Sequence, residues 1–376
     1  MTNIPQNVGW TVGNYCPYNC KHCYSASVRK SEAGLTKTIC DKIISELHEL
    51  GIKTVNIGGN EPIFTNGSDL SKSLLPYIII SLHNKGLDVG ITTSGITLLH
   101  LYEHYRNVFD LINDFDISLD SPFKDEHNTN RGANLYDQAI KTLNICHKER
   151  KAATIIMTAM NWNFDKRHID SLLDLCRRTS SYFRFNVMRP IVKEHMALIL
   201  SPEQYFAGFI YLIEKAEILD LSDPVIKSIC KTETSFKRCP CGINSFRING
   251  MAKDGAIGIS PCVYLHDFKS SMDVVTHGIA AIINSHEFAK FKERYDNPQT
   301  IKGCQDCPVY DICGGGCAAR AYLHNLHLNG DADLMVNDPY CPIGHVEFRS
   351  LTPSLFQEVK NLVHMNYLCT FIGRPK

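Results

Sequence analysis

The chain has 376 residues, 44% of them hydrophobic and 21% charged, enough apolar content to bury one large domain plus a smaller one and too much for a disordered chain. Its 39 basic and 39 acidic residues cancel, so no net field draws it to nucleic acid or to an anionic membrane. A signal segment and an apolar run long enough to span a bilayer are both missing from the text, and 16 cysteines grouped at C-x2-C and C-x3-C spacings fit a cytoplasmic metal-binding protein better than a secreted disulfide framework.

Trp10 to Tyr15 reads as the first strand, and the run Tyr15-Cys16-Pro17-Tyr18-Asn19-Cys20-Lys21-His22-Cys23-Tyr24 follows it. Cys16, Cys20 and Cys23 set three thiolates at C-x3-C-x2-C spacing. Structural zinc closes its site with four protein ligands, whereas three thiolates on a four-iron cluster leave one iron open to a small molecule. A helix is predicted over Thr36 to Leu50, with Ile39, Ile43, Ile44, Leu47 and Leu50 on one stripe and Gly51 as its stop. Strand-like runs then recur at Thr54 to Ile57, Leu87 to Thr93, Asp114 to Leu119, Thr154 to Ala159 and Tyr182 to Met188. This β-then-α rhythm implies a parallel sheet with right-handed crossovers, either doubly wound or a partial barrel.

Chemistry-bearing residues follow the strands. After the second, Gly58-Gly59-Asn60-Glu61-Pro62 lets backbone approach a ligand and offers Glu61 to a cationic amine, although an ordinary βα turn uses the same glycines. After the third, the hydroxyls of Thr93 and Ser94 suit a ribose, and Ser94 equally suits a helix N-cap. After the fourth come Asp116-Ile117-Ser118-Leu119-Asp120-Ser121-Pro122 and then His127, Asn130, Arg131 and Gly132, with Arg131 a fixed cationic fork for a carboxylate. Asn161 and Arg189 stand after the fifth and sixth strands.

Residues 191–238 read as a mainly helical bridge, with the helix over Pro202 to Asp220. Beyond it Cys304-x2-Cys307-x5-Cys313-x3-Cys317, followed by Cys341, admits two readings. One is a zinc ribbon closing a single tetrahedral site. The other is a set of iron–sulfur ligands.

The Cys16 to Cys23 run, with His22 before the last cysteine, resembles the cluster motif of the radical S-adenosylmethionine (radical SAM) enzymes. That resemblance implies an α/β fold, a partial (β/α)6 TIM-like barrel with the cluster loop after its first strand, and an open iron chelated by S-adenosylmethionine. Gly58, Gly59 and Glu61 resemble the family's GGEP-type element that holds the cofactor's amino group, with Asn60 inserted. Thr93 and Ser94 match its ribose-facing element. Ser118 and Arg131 fall in a stretch similar to "SLDGP…H…RG", where Ser121 replaces glycine; they are implied contacts of the carboxylate or ribose, with Asp120 facing substrate as the catalytic candidate and Asn161 a further cofactor contact. The C-terminal spacing, with Cys239-Pro240-Cys241-Gly242 and the 254–262 stretch ahead of it, resembles the SPASM auxiliary-cluster domain. Carried over, Cys304, Cys307, Cys313 and Cys341 ligate a distal cluster, while Cys241, Cys262 and Cys317 ligate a nearer one with Cys239 favoured over Cys230 or an open corner as fourth ligand. Cys40, Cys146 and Cys176 are read as core residues.

The implied organisation is a radical SAM barrel over 1–190, the bridge over 191–238, a SPASM domain over 239–345 and a tail over 346–376. The implied function is post-translational modification of a ribosomally made precursor peptide by hydrogen abstraction through a 5′-deoxyadenosyl radical, as oxidoreductase or lyase chemistry: crosslinking, epimerisation or backbone excision. Three [4Fe-4S] clusters, one of them binding S-adenosylmethionine, and an electron donor such as flavodoxin or ferredoxin belong to that reading. Nine residues precede Trp10, so leader recognition is expected from a separate partner protein. A sulfatase-maturing, formylglycine-forming enzyme and a non-enzymatic zinc-binding adaptor are the rival expectations.

Overall fold

The computed structural model describes residues 5–25, 34–232, 238–266, 268, 270–356, 362–363 and 365–376. Six parallel strands form its centre: β1 (Asn7–Trp10), β2 (Thr54–Ile57), β3 (Asp88–Thr93), β4 (Asp114–Ser118), β5 (Ala152–Ala159) and β6 (Tyr182–Val187). Each pairs with the next in sequence. A doubly wound sheet reverses its strand order at a switch point, and this one does not, so the winding is that of a barrel. The remaining strands are β7 (Ala216–Leu221), β8 (Ser245–Ile248), β9 (Ile259–Ser260), β10 (Ser354–Leu355) and β11 (Phe371–Pro375). The full order is β10-β7-β11-β6-β5-β4-β3-β2-β1-β8-β9. Because β8 and β11 occupy the outer edges of β1 and β6, those two strands never meet and the barrel stays open, a partial (β/α)6 barrel.

Local chemistry explains the elements. Helix Lys37–Glu49 starts where Thr36 Oγ1 accepts the Ile39 N–H, buries Cys40, Ile43, Ile44 and Leu47 against the sheet, and ends before Gly51, whose φ of +75° suits glycine. Strands buried on both faces read as near-continuous apolar runs, as in Ile155, Ile156 and Met157 of β5. Phe109 and Phe115 stack at 5.3 Å between helix and β4, each fully buried ring contributing roughly 1.5–3 kcal/mol. Cys40, Cys146 and Cys176 are buried among these residues, where burial pushes each thiol up to about 12.

Three expectations need correcting. The first strand ends at Trp10 rather than starting there: Thr11 N–H makes the last bond to Ile248 of β8, and Asn14 N–H has turned away to Phe64. The stretch 191–238 is not helical to Asp220; its helix stops at Lys215 and β7 follows directly. The tail after 345 is part of the sheet, with β11 inserted antiparallel between β6 and β7, while β8 and β9 carry the same sheet into the cysteine-rich region. No helix among the described residues is long and apolar enough to cross a membrane.

Candidate active site and cysteine centres

The loop after β1 and the C-terminal ends of β2 to β6 line a cavity of about 140 Å³. Cys16, Cys20 and Cys23 line it together with Gly58, Gly59, Asn60, Glu61, Thr93, Ser94, Ser118 and Arg131. This is the end of a parallel barrel at which loops bring ligand groups together.

Helix Lys124–Arg131 pins the cysteine loop. Arg131 Nε donates to Asp120 Oδ2 at 2.6 Å and its Nη1 lies 3.8 Å from Cys20 Sγ, so one guanidinium spans the buried carboxylate and the thiolate loop. Asn130 donates to Asp120 at 3.0 Å and lies 2.9 Å from His22 Nδ1, and its carbonyl accepts the Lys21 N–H. Asp120 is fully buried beneath this arrangement and does not line the cavity. The expectation that it faces substrate is therefore corrected: its carboxylate is turned to Arg131 and Asn130 beneath the cysteine loop. Burial pushes its carboxyl up, but Arg131 and His22 outweigh burial and hold it well below the usual carboxylate range. His127, also fully buried, accepts the Asp120 N–H on Nδ1 at 3.1 Å, and burial lowers its pKa to about 4.

Glu61 is turned into the β3 end. Its carboxylate accepts from Ser94 N–H at 3.0 Å, Ser94 Oγ at 2.8 Å, Thr97 Oγ1 at 2.6 Å and Thr93 Oγ1. The inserted Asn60 donates to the Gly13 carbonyl at 2.9 Å, and its Oδ1 is buried with no partner beside the cavity. Gly59 has φ +104°, and a Cβ there would fall 2.4 Å from Thr11 Oγ1, so the motif keeps its backbone close to β1 only with glycine. An orphaned acceptor, a glycine-lined approach and three thiolates fit a ligand that is cationic at one end and iron-chelating at the other.

Asn161 lies elsewhere. It is exposed and donates to the Ala197 carbonyl at 2.9 Å, so its expected cofactor contact is corrected. Asn163, two residues on, is the buried one, donating to the Asp120 carbonyl at 2.6 Å. The cavity also holds groups that reading by motif did not select: Tyr24, Tyr264, Tyr367, Arg247 and Asn186. Tyr24 and Tyr264 rings lie 5.3 Å apart, and the Arg189 guanidinium sits 4.3 Å above Tyr264. Only Arg189 carried a sequence signal, its place after β6.

Behind this wall the remaining cysteines divide in two. Cys304, Cys307, Cys313 and Cys341 line a second, much smaller cavity of about 10 Å³. Cys317 is not with them; it packs in a buried cluster with Cys239, Cys241 and Cys262. A ribbon using Cys304, Cys307, Cys313 and Cys317 for one zinc is thereby excluded. Cys230 is in neither group, bridging to Leu351, with burial pushing its thiol up to about 12. Among the described residues no three His, Cys, Asp or Glu side chains converge to hold one metal ion; a four-iron cluster takes each thiolate on a different iron. Arg189 joins the cavity to the second group, donating to Cys317 Sγ at 3.5 Å.

A family profile described as the radical SAM superfamily matches residues 10–175. Over 364 residues the chain is 26% identical to mycofactocin maturase MftC of Mycobacterium tuberculosis, covering 92% of this chain and 85% of that protein. The fold superposes on Streptococcus suis SuiB bound to S-adenosylmethionine with a TM-score of 0.66 at 14% identity, covering 90% of this chain and 77% of that one. It also superposes on anSMEcpe with bound AdoMet and Kp18Cys peptide at a TM-score of 0.67 and 15% identity, covering 90% and 94%. Residues 10–175, which hold the three-thiolate loop and the barrel strands β2 to β5, match the radical SAM profile.

Proposed function

We propose that the chain is a radical SAM enzyme that modifies a ribosomally made precursor peptide, with two auxiliary [4Fe-4S] clusters beside the SAM-binding one. The observation that carries this reading is one cavity bounded on one side by an open three-thiolate loop and on the other by Arg189, itself hydrogen-bonded to a second cysteine group. When bound, the first cluster and S-adenosylmethionine supply one-electron hydrogen-atom abstraction. Cys16, Cys20 and Cys23 would hold that cluster. Gly58, Gly59, Asn60, Glu61, Thr93, Ser94, Ser118 and Arg131 would surround the cofactor, with Arg131 available to a carboxylate. The tyrosine and arginine wall orients a substrate carbon–hydrogen bond and excludes water. Cys304, Cys307, Cys313 and Cys341 would hold the distal cluster; the buried cysteines around Cys317 would hold the nearer one.

A peptide substrate is supported by the relatives: MftC is named a maturase, and SuiB has been solved with its precursor peptide SuiA. A separate leader-recognition protein, a flavodoxin- or ferredoxin-type donor and a reducing cytoplasm, which suits a chain with 16 cysteines, complete the reading. The test is incubation of the anaerobic enzyme, reductant and S-adenosylmethionine with a precursor peptide encoded beside it and the adjacent small partner. A mass change in the peptide, with deuterium from labelled peptide appearing in 5′-deoxyadenosine, is expected. An unaltered peptide under those conditions, alongside activity on a short sulfatase peptide without partner, overturns it in favour of formylglycine formation.

A further inference from the structure

Five cysteines meet behind the cavity where a four-iron cluster uses four. Cys239, Cys241, Cys262, Cys317 and Cys369 are all buried in one cluster. Cys369 does not belong to the cysteine-rich region. It comes from the C-terminal tail, two residues ahead of β11, and its Sγ lies 3.3 Å from that of Cys239.

The tail is anchored on both sides of this thiol. Ser222 and Asp223 N–H groups both donate to the Thr370 carbonyl at 3.0 Å, and Ser245 Oγ donates to the Tyr367 carbonyl at 2.6 Å. Arg189 Nη2 donates to the Cys369 carbonyl at 2.8 Å, the same nitrogen that reaches Cys317 Sγ. Cluster ligands sit on separate irons at the corners of a cube. The five sulfurs are crowded, with Cys239 also in contact with Cys241 and Cys317 and Cys369 with Cys317, so the five cannot each take a corner of one cluster, and Cys239 and Cys369, 3.3 Å apart, can take one between them.

We propose that Cys239 and Cys369 share the fourth corner of the nearer auxiliary cluster, so that either thiolate completes it beside Cys241, Cys262 and Cys317. This rests on the reading of these cysteines as iron–sulfur ligands. A consequence follows for the cavity. Tyr367 and Leu368 wall it, and a Cβ on Gly9 of β1 would overlap the Tyr367 hydroxyl, so a cluster bound through Cys369 fixes the wall that substrate meets.

The experiment compares iron content and low-temperature electron paramagnetic resonance of wild type, Cys239→Ala, Cys369→Ala and the double variant, each purified anaerobically as the full chain. Wild type and both single variants are expected to hold about twelve irons with a four-thiolate nearer cluster, its g-values shifted between the two singles, while the double variant keeps three thiolates there and shows an open-corner signal or falls toward about eight irons. A single variant that already shows the open-corner signal or falls to about eight makes the corner a one-thiol site and overturns the proposal. So does a double variant whose signal matches wild type. Wild type holding zinc without iron instead overturns the cluster reading itself, which is a separate result.

Discussion

At the residue scale the site depends on one buried charge pair. Arg131 faces Asp120 at 2.6 Å with the carboxylate at zero exposure, and removing one partner of such a pair typically costs about 3–5 kcal/mol because the other charge is left buried. Arg131→Met is therefore expected to lower stability by about 3 kcal/mol and to release the cysteine loop, read as a lower melting temperature and loss of the first cluster's resonance signal. Unchanged melting would show that Asp120 does not need the pair. His127 gives a pH prediction. Its folded pKa of about 4 lies below the ordinary 6.5, so between those values the unfolded chain binds the extra proton. Stability from this group is complete above about pH 6.5 and is lost as pH falls toward 4, on the order of 3 kcal/mol. His127→Leu should flatten that part of the melting-temperature profile between pH 7 and 5; an unchanged slope assigns it to other groups.

At the element scale β11 holds the sheet edge and the tail together. A Cβ on Gly373 would lie 2.6 Å from the Phe183 ring and 2.7 Å from the Glu217 carbonyl, at the register shift between Ile372 and Gly373. Gly373→Val is expected to destabilise by about 1–3 kcal/mol and to broaden the nearer cluster's signal, since Cys369 leads into the same strand; a wild-type melting temperature with an unbroadened signal would contradict this. This element also marks what the sequence could show. The six parallel strands were readable from alternating apolar and helical runs, and the thiolate spacings from counting, because both are local. The places of Cys369, Tyr367 and β11 depend on a chain return across more than 100 residues to Ser245 and Glu217, which no local period encodes. Asn161 and Asn163 are equal in type, and only the turn after β5 decides which is buried.

At the scale of the whole molecule, the stretch after β7 and the cysteine-rich region are locked by Arg320, which sits between Asp223 and Asp338 with all three buried. Tyr205 and Tyr340 stack at 4.2 Å beside it, and Asp338 also accepts the Cys317 N–H at 2.7 Å. Arg320→Met leaves two buried carboxylates unpaired and is expected to cost about 3–5 kcal/mol and to lower the iron bound near Cys317; full iron retention would separate the lock from the cysteine centres. The central claim, that the three groups of thiolates are one radical enzyme's apparatus, is tested most directly by quantifying iron, sulfide and zinc in the anaerobic protein and then adding dithionite and S-adenosylmethionine. About twelve irons per chain with 5′-deoxyadenosine formed is the predicted result. Zinc in place of iron, with no cleavage of S-adenosylmethionine, would contradict it.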